Sequence, residues 1–242
     1  MMKDWGKHWA ALKARLHQQE FFVPALGLEL APYLAQRDDQ AVHHLSRYHW
    51  AAEVIARAGK WRVLDIACGA GYGSYLLASH QPKARVRGVD YDPRAIAYAC
   101  QHYQQPQLSY QTGDLVRWQS SDGASLGRAS CVVCFDTLEH LLHREIALIN
   151  IAENLGPAGM LLLSTPCRNQ SVLNPGWEHH KIEYSPEDLE NLLRRFFKRV
   201  LRPDRDADFP YLAFWHEQVN AQRLIYSLRG NPLVCLEPIQ YR

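Results

Sequence analysis

Val63-Leu64-Asp65-Ile66-Ala67-Cys68-Gly69-Ala70-Gly71-Tyr72-Gly73 decides how the rest of this 242-residue chain is read. Val63, Leu64 and Ile66 form an apolar run that predicts a short buried strand, and Ser74-Tyr75-Leu76-Leu77-Ala78 predicts the helix behind it. Between them lie three glycines, whose missing Cβ atoms are expected to let a ligand approach the turn backbone. A loop of that kind at a helix start holds a nucleotide-like cofactor in many α/β sheets.

The spacing narrows the cofactor. Gly69, Gly71 and Gly73 follow G-x-G-x-G, whereas a dinucleotide fingerprint is G-x-G-x-x-G, and Ser74 stands where its third glycine would be. Asp65 ends the strand just before the loop, where a carboxylate would repel a pyrophosphate and suits the α-ammonium of a methionine moiety. The loop resembles motif I of the class I S-adenosylmethionine (SAM) methyltransferases. That resemblance, spanning about residues 40–200, implies a Rossmann-like α/β fold. Its doubly wound, mostly parallel sheet of seven strands would run in the order 3-2-1-4-5-7-6, with strand seven antiparallel. SAM would be the cofactor and S-adenosylhomocysteine (SAH) the product.

Later residues fall where such a sheet needs them. Arg85 to Asp90 reads as strand two, and a carboxylate at its tip can accept both ribose hydroxyls. Tyr91 follows and could lie against adenine; Asp92 suits the N-cap of a helix opened by Pro93. Leu108 to Leu115 reads as strand three and its exit turn. The resemblance implies that Asp114 binds the adenine amine with Leu115 packed on the base; an ordinary turn aspartate is the alternative. Strand four is Ala129 to Phe135, and its exit, Asp136-Thr137-Leu138-Glu139-His140, lies at the edge where open α/β sheets bind ligands. Asp136 and Leu138 there, with Ala67 in the loop, complete the expected cofactor lining. A helix follows to Asn154, Leu155–Gly159 is a turn, and Met160–Thr165 is strand five. Val234 to Glu237 reads as the final strand.

A helix from about Gln40 to Ala58, closed by Gly59, carries His44-Leu45-Ser46-Arg47-Tyr48-His49-Trp50-Ala51. With the glycine loop, this piece resembles a bacterial methyltransferase subgroup linked to cell-surface glycan synthesis. By that resemblance Arg47 and Tyr48 approach the methionine end, and the acceptor is a small molecule or a sugar.

The acceptor side is less legible. Methyl transfer from a sulfonium leaves the protein to align the acceptor, exclude water and sometimes take a proton. Glu139, His140 and His180 are the candidate catalytic groups, with His179 a neighbour of the last. Asp136-x-x-Glu139-His140 with the later His180 also resembles the metal site of small-RNA 3′-terminal 2′-O-methyltransferases. Asp136 replaces a glutamate of that pattern and the separation from His140 to His180 is short, so no metal is expected here.

Residues 20–39, with Pro24, Gly27 and Pro32, read as a surface loop. Residues 1–39 form an N-terminal helical extension: Trp5, Trp9, Leu12 and Leu16 recur at helical spacing. That helix packs on the domain, on a sister subunit in a homodimer, or as a lid. Residues 40–242 form the cofactor-binding domain, in which 203–232 are a candidate substrate-side insertion, with 217–229 as helix. Residues 166–184 read as a long functional loop. Ser185, Pro186 and Asp188 read as a capping box.

Composition excludes several classes. The apolar fraction of 47% supports a core, and no apolar run is long enough to span a membrane. A net charge of +2 gives no footprint for nucleic acid. Six scattered cysteines and no apolar signal region fit a reducing cytoplasm. Cys131 and Cys134 make a C-x-x-C, but on a strand residues three apart face opposite ways, so two buried apolar cysteines are expected. A nicotinamide-dependent oxidoreductase and a non-catalytic domain of the same fold are the competing functional readings.

Overall fold

The computed structural model describes residues 21–176, 179–202 and 233–240. The helices expected over 4–19 and 217–229, and the insertion at 203–232, lie outside them. Strands β1 (Arg62–Ile66), β2 (Arg85–Asp90), β3 (Leu108–Asp114), β4 (Gln119–Ser120), β5 (Ala129–Phe135), β6 (Leu155–Ser164), β9 (Phe197–Leu201) and β10 (Leu233–Pro238) form one eight-stranded sheet. β7 (Val172–Leu173) and β8 (Ile182–Glu183) form a separate two-stranded ribbon.

The large sheet runs β4-β3-β2-β1-β5-β6-β10-β9. β3, β2, β1, β5 and β6 pair in parallel, and β10 is antiparallel to both β6 and β9. The order matches the expected one with β4 added. That short strand lies between the two read from the sequence as strands three and four: Ser120 and Gln119 pair back on Gly113 and Asp114.

Alternation along each strand divides the core into two layers, as the pleat requires. On one face Val63, Val86, Cys131, Val133 and Leu162 pack with Leu45, Ile55 and Leu77 from α2 (Asp39–Arg57) and α3 (Tyr72–His80). On the other, Leu64, Val132, Cys134 and Leu161 pack with Leu148 and Ile151 of α5 (Arg144–Asn154) and with Leu189 and Leu193 of α6 (Pro186–Leu193). Cys131 and Cys134 thus go to opposite faces and are both buried thiols. The remaining long helix, α4 (Pro93–His102), starts at an Asp92 N-cap that accepts from Arg94 N.

Four expectations need correction. Residues 20–39 contain a helix, α1 (Leu30–Gln36), because Pro32 lies in its first turn, where a missing N–H costs nothing. The buried Tyr33 anchors it: its hydroxyl accepts from Leu26 N at 2.6 Å and donates to Gly27 O at 2.9 Å. The helix expected to follow the Asp136–His140 exit begins only at Arg144, and the exit itself holds a 3-10 turn, Leu138–His140, entered through Asp136 with φ 46°. The bend at Leu155–Gly159 lies inside β6, with Leu155 paired to Ala129. Ser185 does cap α6, accepting from Asp188 N at 3.1 Å, but Asp188 does not close the box: Ser185 N donates to Ser171 Oγ at 2.8 Å instead. No helix among the described residues is long and apolar enough to cross a membrane.

Candidate functional site

The carboxyl ends of β1, β2, β3 and β5 bring most of the expected site residues to one edge of the sheet. The order of parallel strands reverses between β1 and β5, and in open α/β folds ligands bind at such a reversal. The chain leaves both strands through a left-handed non-glycine residue: Ala67 follows β1 with φ 56°, and Asp136 follows β5 with φ 46°. Strained backbone of this kind costs of order 1–3 kcal/mol and clusters at functional sites.

Asp90, buried at the tip of β2, joins the two halves of the crevice. Its Oδ2 accepts from Gly69 N at 2.8 Å and its Oδ1 from Asp92 N at 2.9 Å. Burial raises its pKa against these hydrogen bonds. Next to it Tyr91 is 72% exposed. On the neighbouring strand Asp114 Oδ1 accepts from Val116 N at 2.7 Å, the bond of an ordinary turn aspartate, while Oδ2 lies 3.6 Å from Arg117 Nε. Leu115 is buried behind it.

The glycines do something other than expected. A Cβ on Gly73 would overlap the Tyr48 ring, and one on Gly71 would lie 2.5 Å from Ala99 Cβ and 2.9 Å from Tyr110 Cε1. Both make room for protein, so a valine at 71 would disturb packing before any ligand. Gly71 also needs its positive φ of 84° to start α3. Gly69 alone has an uncrowded Cβ direction, its nearest neighbour being Phe21 Cβ at 3.4 Å.

Tyr48 explains the placement of Asp65. Asp65 is 0% exposed; its Oδ1 accepts from the Tyr48 hydroxyl at 3.2 Å and its Oδ2 from Ser74 Oγ at 2.6 Å. Burial pushes its pKa up to about 7, with the Asp90 charge adding to this and the two hydroxyl donors opposing it. The carboxylate expected to face an ammonium is thus covered by Tyr48. Ser74, read only as the residue replacing a third glycine, is its closest partner.

The residue before Tyr48 on α2, Arg47, is 1% exposed and forms an ion pair with Asp136. It also donates to Ser164 Oγ at 2.7 Å and lies 3.0 Å from His44 Nδ1. Burial opposes the charge on Asp136, but Arg47 outweighs it and holds the carboxyl well below the usual range. His44 is pushed down to about 4 by burial and by Arg47. Sequence reading found Arg47, Tyr48, Asp65 and Asp136 separately. It missed that they form two pairs, which tie α2 to the exits of β5 and β1, and it missed Ser164 and His43.

A third cluster faces the other side of the β5 exit. Glu139, 1% exposed, accepts from Thr165 Oγ1 at 2.7 Å. Lys181 N donates to Glu139 O at 2.7 Å, which pins the arm of the β7–β8 ribbon to the 3-10 turn. His180 is thereby brought beside His140, their rings 4.9 Å apart and nearly perpendicular. Glu139, His140 and His180, expected as separate proton-transfer candidates, are together in space. Leu138 is buried beneath them.

Sheet order and the position of the crevice define a Rossmann-like doubly wound α/β protein. Residues 14–206 match the family described as the methyltransferase domain, and the chain belongs to that family. A probable S-adenosylmethionine-dependent methyltransferase of Mycolicibacterium smegmatis is 29% identical over 176 residues, covering 71% of this chain and 63% of its own. A ubiquinone biosynthesis O-methyltransferase of Coxiella burnetii is 34% identical over 125 residues, 51% of this chain and 50% of its own. The chain therefore spans less than two thirds of the length of these relatives. Magnesium protoporphyrin IX methyltransferase from Synechocystis, solved with bound SAM, shares the fold with a TM-score of 0.55 at 19% identity, covering 80% of this chain and 83% of that one.

Proposed function

We propose that this chain is a SAM-dependent methyltransferase acting on a small molecule or a sugar. The observation that carries the reading is the buried Asp90 carboxylate at the β2 tip, bonded to the amide of Gly69 in the loop beside it. Asp90 accepts the Gly69 amide on Oδ2 and the Asp92 amide on Oδ1, and a carboxylate's acceptor sites, about four in all, exceed these, so ribose hydroxyls can be accepted as well. Tyr91 offers an exposed ring, and Asp114 with Leu115 stands one strand further out, as a nucleoside's base requires. For the methionine half the chain offers Arg47, Asp136 and, behind Tyr48, Asp65. Family membership and the SAM-dependent relatives support the same reading.

SAM, when bound, supplies an activated methyl group on its own leaving group. The chain's residues then have to orient an acceptor, keep water out and hold a proton. The two pairs Arg47–Asp136 and Tyr48–Asp65 fix α2 over the crevice and close its inner wall. Glu139, His140 and His180 stand on the acceptor side, at the exit of β5. A net charge of +2 offers no polyanion footprint, which favours a small acceptor over nucleic acid.

Thermal-shift titration with SAM, SAH and NAD tests the reading. Both SAM and SAH should stabilise the chain, by about 2.7 kcal/mol at a hundredfold excess over Kd, and NAD should not. No shift with either sulfur nucleoside, or a shift with NAD alone, would overturn it.

A further inference from the structure

We propose that Glu139, His140 and His180 bind one divalent transition-metal ion. The three residues come from two separate segments, the 3-10 turn after β5 and the arm leading into β8, yet offer one ligand atom each within 4.8 Å of one another. His140 Nε2 lies 3.8 Å from Glu139 Oε1.

The outer contacts of the cluster are those a metal site needs. His140 Nδ1 donates to His179 O at 3.1 Å, and His180 Nδ1 donates to Glu183 Oε1 at 2.6 Å. Glu183 is itself held by Arg168 Nε. Glu139 Oε2 is held by Thr165. A carbonyl and a carboxylate cannot donate, so each ring carries its proton on Nδ1, and Nε2 is the basic nitrogen. Metal-bound histidines are oriented in this way, Nδ1–H on a carboxylate or carbonyl and Nε2 on the ion. Two imidazoles with such partners on adjoining segments are more than a proton acceptor requires.

Charge points the same way. His140 Nε2 lies 3.8 Å from the buried Glu139 carboxylate, and the fixed cation Arg47 is paired with Asp136. A buried carboxylate without a fixed counter-charge is costly, and a divalent ion would supply one. Asp136, which would make a second carboxylate ligand, is taken by Arg47. The remaining set, two imidazoles and one carboxylate, suits zinc, cobalt, iron or manganese; calcium and magnesium prefer oxygen alone. Ligand atoms 2.1 Å from one ion are at most about 4.2 Å apart, so the cluster must tighten by a few tenths of an ångström. His140, the exposed member, has room to do so.

Three protein ligands leave open positions, and the burial of Glu139 and His180 puts them on the side of His140. An oxygen acceptor, a hydroxyl or a vicinal diol, would take those positions; this extension to the acceptor rests on the methyltransferase reading, whereas the metal site does not.

The test is titration of Co²⁺ into metal-free, untagged full-length chain, read by its visible absorption. One ion per chain is expected. E139Q, H140A and H180A should each weaken binding at least a hundredfold, and E183Q about 10–100-fold, with H102A unchanged. H140A alters an exposed ring and keeps the test valid if H180A fails to fold. Absence of stoichiometric cobalt binding, or wild-type binding in folded H140A, would overturn the site. SAH thermal shifts run in parallel separate the two readings: SAH binding without cobalt binding sinks only the metal, and the reverse sinks only the methyltransferase. Catechol, added as a diol probe, should perturb the cobalt spectrum of the wild type; an unchanged spectrum would refute the assignment of an oxygen acceptor to the open positions.

Discussion

Asp65→Asn is the substitution whose effect the structure specifies most closely. Asp65 is fully buried, and burial raises its pKa from 3.8 to about 7 despite donated bonds from Ser74 and Tyr48. Between those two values the folded chain keeps a proton that the unfolded chain has released, so raising the pH favours unfolding. The contribution is fully present below pH 3.8 and is lost as pH rises through about 7. Each pH unit crossed is worth roughly 1.4 kcal/mol, which makes an upper bound of about 4 kcal/mol over the window. Asparagine is neutral at every pH and of similar shape, and Ser74 can donate to its oxygen or accept from its nitrogen. Urea unfolding of wild type and variant at several pH values between about 5 and 8 reads the effect directly. The stability of Asp65→Asn relative to wild type should climb by about 2–3 kcal/mol across that range and then level off. Taking the difference cancels His44 and other groups that titrate in both proteins. Parallel stability curves would refute the argument, because they would mean that Asp65 ionises as readily inside the fold as outside it.

Asp90→Ala should weaken SAM binding by about 1–3 kcal/mol by calorimetry, through loss of charge-assisted hydrogen bonds; unchanged affinity would remove Asp90 from the site. Arg47→Met should destabilise the fold by about 3–5 kcal/mol by leaving Asp136 without its counter-charge, and Arg47→Met with Asp136→Leu should recover much of that loss. An equally unstable double variant would show that the pair is not the cause. Gly73→Ala should cost about 1–3 kcal/mol, because its Cβ would overlap the Tyr48 ring. Tyr48→Ala should cost less in the Gly73→Ala background than in wild type, and strict additivity in denaturant melts would contradict the contact.

What could be read from the chain without its structure was whatever depends on neighbours in sequence. The apolar run ending in Asp65, the G-x-G-x-G spacing, the acid closing Arg85–Asp90 and the Ser185 cap are local patterns. Strand alternation is local too, which is why Cys131 and Cys134 were correctly assigned to opposite faces. Tertiary structure decided everything that depends on which residues meet. It filled the spaces at Gly71 and Gly73 with Ala99, Tyr110 and Tyr48. It covered Asp65 with Tyr48 and paired Arg47 with a residue 89 positions away. It also carried His180 to the side of His140, 40 positions earlier, with Lys181 N bonded to Glu139 O and His140 Nδ1 to His179 O. A single sequence shows the period of an element and the chemistry of its side chains, because both are local. It does not show how α2 lies on the strand exits or how the β7–β8 arm folds back, because those depend on packing between segments that the chain leaves far apart.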